Sequence, residues 1–466
     1  MVVKNMIRRL APVGLIAVMA AVGLLALVQE SEPYQPNILV IISDDQGVVD
    51  SPEYRYDPDP PHTPNLSALA NDGVIFENAW ATPMCFTTRA AYLTGLHGAR
   101  TGELAGSTPI RLEDQTLYEF LSENEGSSNY ATAFIGKWHV GTEEVDGESY
   151  PVANGVQYFA GVIEGNFDND GGGYNRWNLT VDTPEMDTVR EISTEYNTSK
   201  LTRLAEEWIE QQDSPWFVTL AYNAPHGPRH WPDESLHGMQ ERTERHFTSD
   251  MCGPSFRGLS ADEVAVLVAT QDEECYNAMV EAMDTEVGNL LAKLDELGQR
   301  ENTLIIYSGD NGSSEPSVIQ GRQAKGSLYA GGLHVPFFAS GAGVTRQGVR
   351  EERLVTFTDI FATVGEIAGA DFDGTIHDSL SFAGFLSSEE GIDRRYAFSD
   401  LDRTTDAGTT SGWSVRDHEH MLMRLNGEDT LFEINPDNFM YKDVTASEPD
   451  ILRRLQQTGE RINRGD

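Results

Sequence analysis

Cysteine is scarce in this chain: Cys85, Cys252 and Cys275 are the only three in 466 residues. A chain of that length can bury one large core and a second, smaller one, and so few cysteines exclude a disulfide scaffold. Positive charge is scarce too. Lys and Arg number 33 against 74 Asp and Glu, for a net charge of −41. Such a surface excludes nucleic acid and anionic membranes as partners, and it suits a protein that stays soluble in high salt. An anion can then be bound only in a local cationic pocket. Long apolar runs are lacking beyond Ala11–Val28, which follows Lys4, Arg8 and Arg9 and precedes Gln29-Glu30-Ser31-Glu32-Pro33. That layout predicts a secretory signal over residues 1–30, with an uncleaved membrane anchor as the alternative. Either way the rest of the chain is exported, periplasmic or extracellular, where Cys252 and Cys275 could pair. Cys85 is then the odd thiol.

What the chain does have is a series of apolar, β-branched runs that end in polar residues. Asn37–Ser43 reads as a strand buried on both faces, the kind found in parallel sheets, and it exits into Asp44-Asp45-Gln46-Gly47. Two adjacent carboxylates at such an exit are costly unless a cation neutralises them, and a hard metal ion fits them better than a solvated turn does. Ala131–Ile135 predicts a strand leading to Gly136-Lys137-Trp138-His139. Trp216–Tyr222 leads to Asn223-Ala224-Pro225-His226-Gly227-Pro228, and Thr303–Ser308 to Gly309-Asp310-Asn311-Gly312. Taken singly, Lys137 could be a surface charge and His139 a structural histidine. Prolines on both sides of His226 hold its imidazole in place.

Apolar spacing predicts helices over Thr116–Ser122, Thr198–Gln211, Cys275–Leu297 and Val355–Ala368. Gly141–Asp187, with Asn169-Asp170-Gly171-Gly172-Gly173 at its centre, reads as a long surface excursion. Gly321–Leu333 reads as a basic, glycine-rich loop centred on Lys325. From about Asp371 the elements shorten, with strand-like pieces at His420–Arg424 and Thr430–Phe432 and a terminal helix over Glu448–Ile462. The fold class is α/β: a large mixed, mostly parallel sheet flanked by helices over residues 31–370. A small α+β subdomain built on an antiparallel sheet follows over 371–466. In open α/β sheets ligands bind beyond the carboxyl ends of the strands, where all four polar exits stand.

Pro83–Gly95 reads Pro-Met-Cys-Phe-Thr-Thr-Arg-Ala-Ala-Tyr-Leu-Thr-Gly. A helix that begins near Thr87 or Thr88 and closes at Gly95 places Cys85 just outside its N-terminus. Unpaired N–H groups and the helix dipole favour an anion there. Arg89 adds a forked set of donors, and the helix N-terminus, Arg89 and a bound metal ion together predict a depressed thiol pKa. The plainer reading of the stretch alone is a buried cysteine beside a surface arginine.

In order, the chain carries Asp-Asp-x-Gly, Thr-Pro-Asn-Leu, Cys-x-x-x-Arg with Leu-Thr-Gly, Gly-Lys-Trp-His, Pro-His-x-Pro, Asp-Asn-Gly and Lys-Gly-Ser followed by Gly-Gly and Val-Pro. From Asn37 to about Val444 this series resembles the type I sulfatases of the alkaline phosphatase superfamily. The resemblance implies an alkaline phosphatase-like fold and a calcium-dependent sulfuric-ester hydrolase. It implies that a formylglycine-generating enzyme oxidises Cys85 to formylglycine. It further implies that Asp44, Asp45, Asp310 and Asn311, with position 85, hold Ca²⁺ in preference to Mg²⁺. Arg89, Lys137, His139, His226 and Lys325 match the family's sulfate-binding and proton-transfer residues. In that scheme Lys325 and His226 serve the leaving oxygen, and His139 takes a proton from position 85. Four oxygen donors with no thiolate or imidazole suit Ca²⁺ or Mg²⁺ better than Zn²⁺. The substrate would be an aryl sulfate or a sulfated saccharide.

Three positions depart from the family pattern. Thr87 stands where Pro or Ala is usual, and Ala330 and His334 stand where Glu and Arg are usual. Two other readings stay open on the same motifs. One is a phosphodiesterase or phosphonate monoester hydrolase of the same superfamily, because sulfate and phosphate esters share tetrahedral geometry. The other is a non-catalytic anion-binding homologue in which Cys85 is never matured.

Overall fold

In the computed structural model, Asn37–Ser43 forms strand β1 and all seven of its residues are buried. The structure describes residues 35–102, 110–141, 147, 149–165, 167, 173–239, 252, 261–314, 324–405, 408–435 and 441–465. The strands that follow β1 are β2 (Val74–Trp80), β3 (Ala131–Lys137), β4 (Tyr158–Val162), β5 (Trp177–Thr183), β6 (Met186–Ser193), β7 (Trp216–Ala221), β8 (Thr303–Gly309), β9 (Phe337–Gly341) and β10 (Val349–Thr356). They form one ten-stranded sheet in the order β10-β2-β9-β8-β1-β7-β3-β4-β5-β6. The neighbours β8, β1, β7, β3 and β4 all run parallel. Their carboxyl ends therefore lie along one edge.

Helices cover both faces, as a sheet of this kind requires. They are α1 (Pro64–Asn71), α2 (Cys85–Thr94), α3 (Gly98–Thr101), α4 (Leu117–Glu123), α5 (Tyr150–Ala153), α6 (Asn197–Ile209), α7 (Ala261–Glu296), α8 (Ala330–Leu333), α9 (Asp359–Ala368), α10 (Gly384–Ser387) and α11 (Pro449–Arg464). Successive residues of β1 point to opposite faces and meet different helices. Leu39 and Ile41 pack in one core with Leu201, Leu204 and Ala205 of α6 and Met279, Met283, Val287 and Leu290 of α7. Ile38, Val40 and Ile42 pack in the other with Tyr92 and Leu93 of α2, Leu117 and Leu121 of α4 and Phe361 and Val364 of α9. Each such fully buried aliphatic side chain contributes about 1.5–3 kcal/mol.

A two-stranded ribbon, β11 (Thr375–Ile376) with β12 (Ser379–Leu380), leads to an antiparallel sheet of five strands. These are β13 (Ala397–Thr405), β14 (Gly408–Arg416), β15 (His420–Leu425), β16 (Glu428–Ile434) and β17 (Tyr441–Asp443). The terminal helix α11 lies on this sheet with Leu455 buried, and Gly459 gives it room: a Cβ there would sit 2.2 Å from the Trp413 ring.

Several expectations change. The helix predicted over Val355–Ala368 is two elements: β10 runs to Thr356 and pairs with β2, and α9 begins only at Asp359. The Asp359 carboxylate accepts the Thr356 N–H at 2.8 Å, which turns the chain there. Gly141–Asp187 is not a mere surface excursion, because β4 and β5 within it extend the main sheet beyond β3. Its polar and glycine-rich composition hides a short buried strand that only pairing with β3 stabilises; Asn169–Gly172 lie outside the described residues. The helix expected from Cys275 begins at Ala261. Cys252 and Cys275 form a disulfide, leaving Cys85 as the free, buried thiol. Among the described residues no helix is long and apolar enough to cross a membrane, and residues 1–30 of the expected signal lie outside them.

At the carboxyl edge, β3 and β4 meet through paired glycines, Gly136 and Gly161. A Cβ on Gly161 would lie 1.9 Å from the Gly136 carbonyl oxygen. Gly161→Ala must therefore push these buried strands apart, and overpacking of this sort costs about 1–3 kcal/mol. We expect the melting temperature to fall by roughly 1–3 °C, read by calorimetry on the otherwise unchanged chain. An unaltered melting curve would show that the strands separate freely there.

Candidate active site

The parallel strands bring four polar exits side by side. Asp310 donates its backbone N–H to the Ser43 carbonyl at 3.0 Å, and Asp44 donates to the Ala224 carbonyl at 3.0 Å. The turns after β8, β1 and β7 are thus stitched together. Glycine permits the approach: a Cβ on Gly309 would lie 2.2 Å from the Gln46 carbonyl oxygen. Asp45, in the left-handed region at φ 69°, donates its N–H to Asp310 Oδ1 at 3.1 Å. Asn311 Nδ2 donates to Asp45 Oδ1 at 2.9 Å. Asp44, Asp45, Asp310 and Asn311 therefore form one buried group.

The cysteine helix faces this group. Met84 is extended and its carbonyl accepts the Thr88 N–H at 3.2 Å, so Cys85 is the first residue of α2. The expected start at Thr87 or Thr88 is thus two to three residues late. Three threonines set the earlier start. Thr87 Oγ1 donates to the Met84 carbonyl at 2.8 Å, the Thr82 N–H donates to Thr88 Oγ1 at 3.0 Å, and the Thr82 and Thr87 hydroxyls are bonded to each other. Thr87, the departure from the family pattern, is buried in this lacing.

Around Cys85 Sγ stand His139 Nδ1 at 3.4 Å, Lys325 Nζ at 3.7 Å and Lys137 Nζ at 3.8 Å. Burial pushes the Cys85 thiol pKa up, against the pull of Lys137 and Lys325. The depressed value expected from the sequence counted a metal ion as well; for the protein alone, loss of water outweighs the two ammonium groups. His139, at φ 56°, is held by its N–H to the Ile163 carbonyl at 2.9 Å. Burial, helped by Lys137 and Arg89, lowers its pKa well below the ordinary value, so it is a neutral base at pH 7.

The cations are paired with the carboxylates. Lys137 Nζ bonds Asp44 Oδ2, and Lys325 Nζ bonds Asp45 Oδ1. Arg89 forks onto Asp310 Oδ2 through Nε at 3.0 Å and Nη2 at 2.8 Å, and its Nη1 donates to the Lys137 carbonyl. Arg89 is thus no surface arginine; it ties the cysteine helix to both acidic exits. Burial would raise the Asp44 pKa, but Lys137, His226, Arg89 and Lys325 bring it below the ordinary carboxylate range. Asp310 stays raised, to about 6, because burial and Asp44 outweigh Arg89.

Asp44 Oδ1 and Asn311 Oδ1 are buried acceptors without a hydrogen-bond partner. Ligand atoms of Asp44, Cys85 and Asp310 lie within 4.8 Å of one another, as do those of Asp44, Asp45 and His226. Orphaned buried oxygens beside clustered carboxylates fit a hard cation. His226 was expected only at the leaving group, yet its Nε2 lies 3.9 Å from Asp45 Oδ2. Its Nδ1 faces the Gly227 carbonyl at 2.8 Å, which places the proton on Nδ1 and leaves Nε2 to face the cluster.

Sequence reasoning missed the residues that brace the site. The Tyr276 hydroxyl donates to the Asp45 carbonyl at 2.8 Å and lies 2.8 Å from Asp50 Oδ2, whose pKa burial raises to about 7. Nothing in the apolar stripe of α7 separates Tyr276 from a core residue. Phe86 meets the His139 ring edge-on at 5.9 Å, and Gly165 leaves room for that ring.

A family profile described as Sulfatase matches residues 36–370. Arylsulfatase J of Mus musculus is 26% identical over 369 residues, covering 75% of this chain and 55% of the relative. The arylsulfatase of Klebsiella aerogenes is 25% identical over 72% of this chain and 87% of its own length. The ulvan-active sulfatase of Formosa agariphila is 27% identical over 72% of this chain, which spans 62% of that protein. Among solved structures, Ps i-CgsB in complex with k-i-k-neocarrahexaose superposes with a TM-score of 0.73 at 24% identity, over 92% of this chain and 93% of its own. BT4656 in complex with D-glucosamine-2-N,6-O-disulfate gives 0.73 at 19% identity, over 92% and 98%. These likenesses establish the fold.

The loop carrying Lys325 lacks the expected Glu and Arg, and other contacts hold it. Lys325 N donates to the Ser313 carbonyl at 2.9 Å and Gly326 N to the Pro83 carbonyl at 2.8 Å. Ala330 opens α8. The His334 ring stacks on Trp80 at 6.2 Å with 8° between planes, and its Nε2 faces the Glu77 carbonyl at 2.9 Å. Burial, reinforced by Arg416, lowers the His334 pKa to about 3. In acid the unfolded chain therefore takes up the proton first, and stability is lost as pH falls below the unfolded value near 6.5, down to about 3. At pH 5 the loss is roughly 2 kcal/mol. His334→Gln keeps a donor for the Glu77 carbonyl and does not titrate. Its fall in melting temperature between pH 7 and pH 5 should be smaller than that of the wild type by a few degrees, on the order expected for that energy; equal falls would exclude His334 from the acid response.

Proposed function

The chain belongs to the sulfatase family, and from that premise we propose that it hydrolyses sulfate esters at a formylglycine made from Cys85, with Ca²⁺ held by Asp44, Asp45, Asp310 and Asn311. The observation that carries the reading is the setting of Cys85 Sγ, with one imidazole and two ammonium groups within 3.8 Å, beside clustered carboxylates and the orphaned oxygens of Asp44 and Asn311. When present, the metal supplies positive charge and the hydrated aldehyde supplies two hydroxyls, one to attack sulfur and one to expel sulfate.

The chain's own residues do the rest. Lys137 and Lys325 flank position 85 and hold the negative charge of a tetrahedral sulfuryl group. Arg89 fixes Asp310 and, through the Lys137 carbonyl, the strand that carries Lys137. His139 Nδ1, neutral at pH 7, accepts a proton from position 85. Lys325 and His226 are the groups open to solvent, at 15% and 22% side-chain exposure, against 0% for Lys137 and 1% for Arg89. A leaving alcohol must depart on that open side, so these two serve its oxygen.

Sulfated saccharides are the substrate class we favour, because relatives and structural neighbours include an ulvan-active sulfatase and a protein solved with k-i-k-neocarrahexaose. The catalytic unit is proposed to span residues 31–370, with 371–466 as the C-terminal subdomain. Export, with residues 1–30 as signal or anchor, agrees with the Cys252–Cys275 disulfide.

Maturation is the first test. The tryptic peptide ending at Arg89 should be about 18 Da lighter once Cys85 is formylglycine, since an aldehyde replaces the thiol at the nucleophile. Protein co-produced with a formylglycine-generating enzyme should cleave a sulfate ester, lose that activity on chelation and regain it with Ca²⁺. Thr87→Pro should raise the converted fraction and the activity together. Full turnover by protein whose Cys85 is unmodified would refute the mechanism. The role of His226 is tested separately. His226→Ala should cost at least tenfold more with an alkyl sulfate than with a nitrophenyl sulfate, whose good leaving group needs little help; equal losses would remove His226 from that step.

A further inference from the structure

The turn that carries His226 has a donor for each of its carbonyls. The Asn223 carbonyl accepts the His226 N–H at 2.9 Å, and the Ala224 carbonyl accepts the Asp44 N–H at 3.0 Å. The Pro225 carbonyl accepts from Arg229 Nη1, and the Gly227 carbonyl from His226 Nδ1 at 2.8 Å. The His226 carbonyl takes its hydrogen bond from Tyr174, whose hydroxyl lies 2.8 Å away. The same hydroxyl lies 2.7 Å from the Asn223 carbonyl. A phenol has one proton, so Tyr174 shares it between the two carbonyls at the ends of this turn. Tyr174 comes from the connection between β4 and β5, not from the strands whose exits form the site.

Tyr174 is itself firmly held. Gly173 and Arg176 exchange backbone hydrogen bonds at 2.9 and 3.0 Å, which closes a tight loop around it. Its own carbonyl accepts the Asn197 N–H at 2.7 Å, at the start of α6. Its ring stacks on His230 at 4.1 Å with 28° between planes, and it meets Phe167 edge-on at 4.6 Å. His230 is fixed in turn. Its Nε2 lies 3.1 Å from the Tyr196 hydroxyl, and its Nδ1 faces the Pro228 carbonyl at 3.4 Å. Burial lowers the His230 pKa to about 4, so it is neutral at pH 7, donates from Nδ1 and accepts at Nε2. The plainer reading of Tyr174 is a core residue with a satisfied hydroxyl, since a buried tyrosine needs one partner. One partner would not require that hydroxyl to reach both the first carbonyl of the turn and that of His226 itself.

The direction of the His226 ring follows this backbone, because its Nδ1 is tied to the Gly227 carbonyl and its Nε2 is thereby left 3.9 Å from Asp45 Oδ2. Tyr174 is only 2% exposed and offers nothing to a substrate directly. We propose that Tyr174 is a positioning residue for His226: its hydroxyl fixes the turn so that Nε2 faces the reacting group. What that positioning does for catalysis rests on the reading of His226 as a group that serves the leaving oxygen.

The test uses the matured full chain with an alkyl sulfate and a nitrophenyl sulfate. Tyr174→Phe removes one oxygen and keeps the ring in its stack. Misplacing a reacting group by about 1 Å can cost on the order of 100-fold, so a partial loosening should lower kcat roughly three- to tenfold more with the alkyl ester than with the nitrophenyl ester. KM should change little. In the Tyr174→Phe/His226→Ala double variant kcat should fall no further than in His226→Ala alone, and a further fall would overturn the proposal. Where His226→Ala discriminates between the esters, equal losses in Tyr174→Phe would overturn the proposal and leave the reading of His226 standing. A second arm needs no activity. With isotopically labelled histidine, the ring NMR signal absent from His226→Ala belongs to His226. Tyr174→Phe should shift or broaden that signal, and an unmoved signal would overturn the proposal whatever the kinetics. A moved signal with equal losses in His226→Ala would support the positioning and refute the leaving-group reading. If Tyr174→Phe fails to fold, His230→Ala removes instead the half-buried ring stacked on Tyr174. The same split between esters would support the proposal, and its absence would overturn it.

Discussion

Asp44, Asp45 and Asp310 are held in the protein interior, where an isolated carboxylate would give up its charge. Each instead has a cation: Lys137 for Asp44, Lys325 for Asp45 and Arg89 for Asp310. Three negative charges thus meet three positive ones, and of the six groups only Lys325 reaches solvent appreciably. Removing one partner of such a buried pair costs about 3–5 kcal/mol, because its counterpart is left uncompensated. The partners come from β3, α2 and the loop before α8, so the charges balance only after the sheet and its crossovers have assembled. A divalent cation added to this neutral group would create the positive charge that a sulfate ester answers.

The backbone geometry around those charges leaves little freedom. The exits of β1, β7 and β8 share hydrogen bonds, and the loop of Lys325 is pinned to Ser313 and Pro83. Tyr329, four residues beyond Lys325, stacks with Tyr441 of the C-terminal sheet at 6.1 Å and meets Phe432 at 5.8 Å. Arg416, also from that sheet, lies over the Trp80 ring at 5.0 Å, and His334 stacks on the same ring. The small antiparallel sheet therefore supports the catalytic edge. At Ala330 and His334, where the resemblance led to the expectation of Glu and Arg, aromatic contacts across the two sheets do the bracing.

The site also has a closed side and an open side. Asp44, Lys137 and Arg89 are sealed from solvent, while Lys325 and His226 are not. In the proposed reaction that asymmetry would orient the ester, with the charged group directed inward and the alcohol outward. It also separates the two histidines, since His139 lies behind Cys85 and His226 beside the acidic cluster.

Much of this was legible in the sequence. Each continuous apolar run marks a strand buried on both faces, and the polar residues that end it stand at the carboxyl edge; β1 falls at its expected bounds. The residue types at Asp44, Asp45, Asp310 and Asn311 likewise marked a cluster of oxygen donors, which the fold brings together. The rest depended on contacts between residues far apart in the chain. β4 is too short and too glycine-rich to declare itself without β3 beside it. The start of α2 moved to Cys85 because Thr82, outside the helix, bonds Thr87 and Thr88. Arg89 turned toward Asp310, and burial outweighs the neighbouring ammonium groups in the Cys85 pKa. Local spacing reports which side chains leave a strand together; desolvation, charge pairing and the closeness of distant segments are properties of the folded interior, and only the tertiary structure decided them.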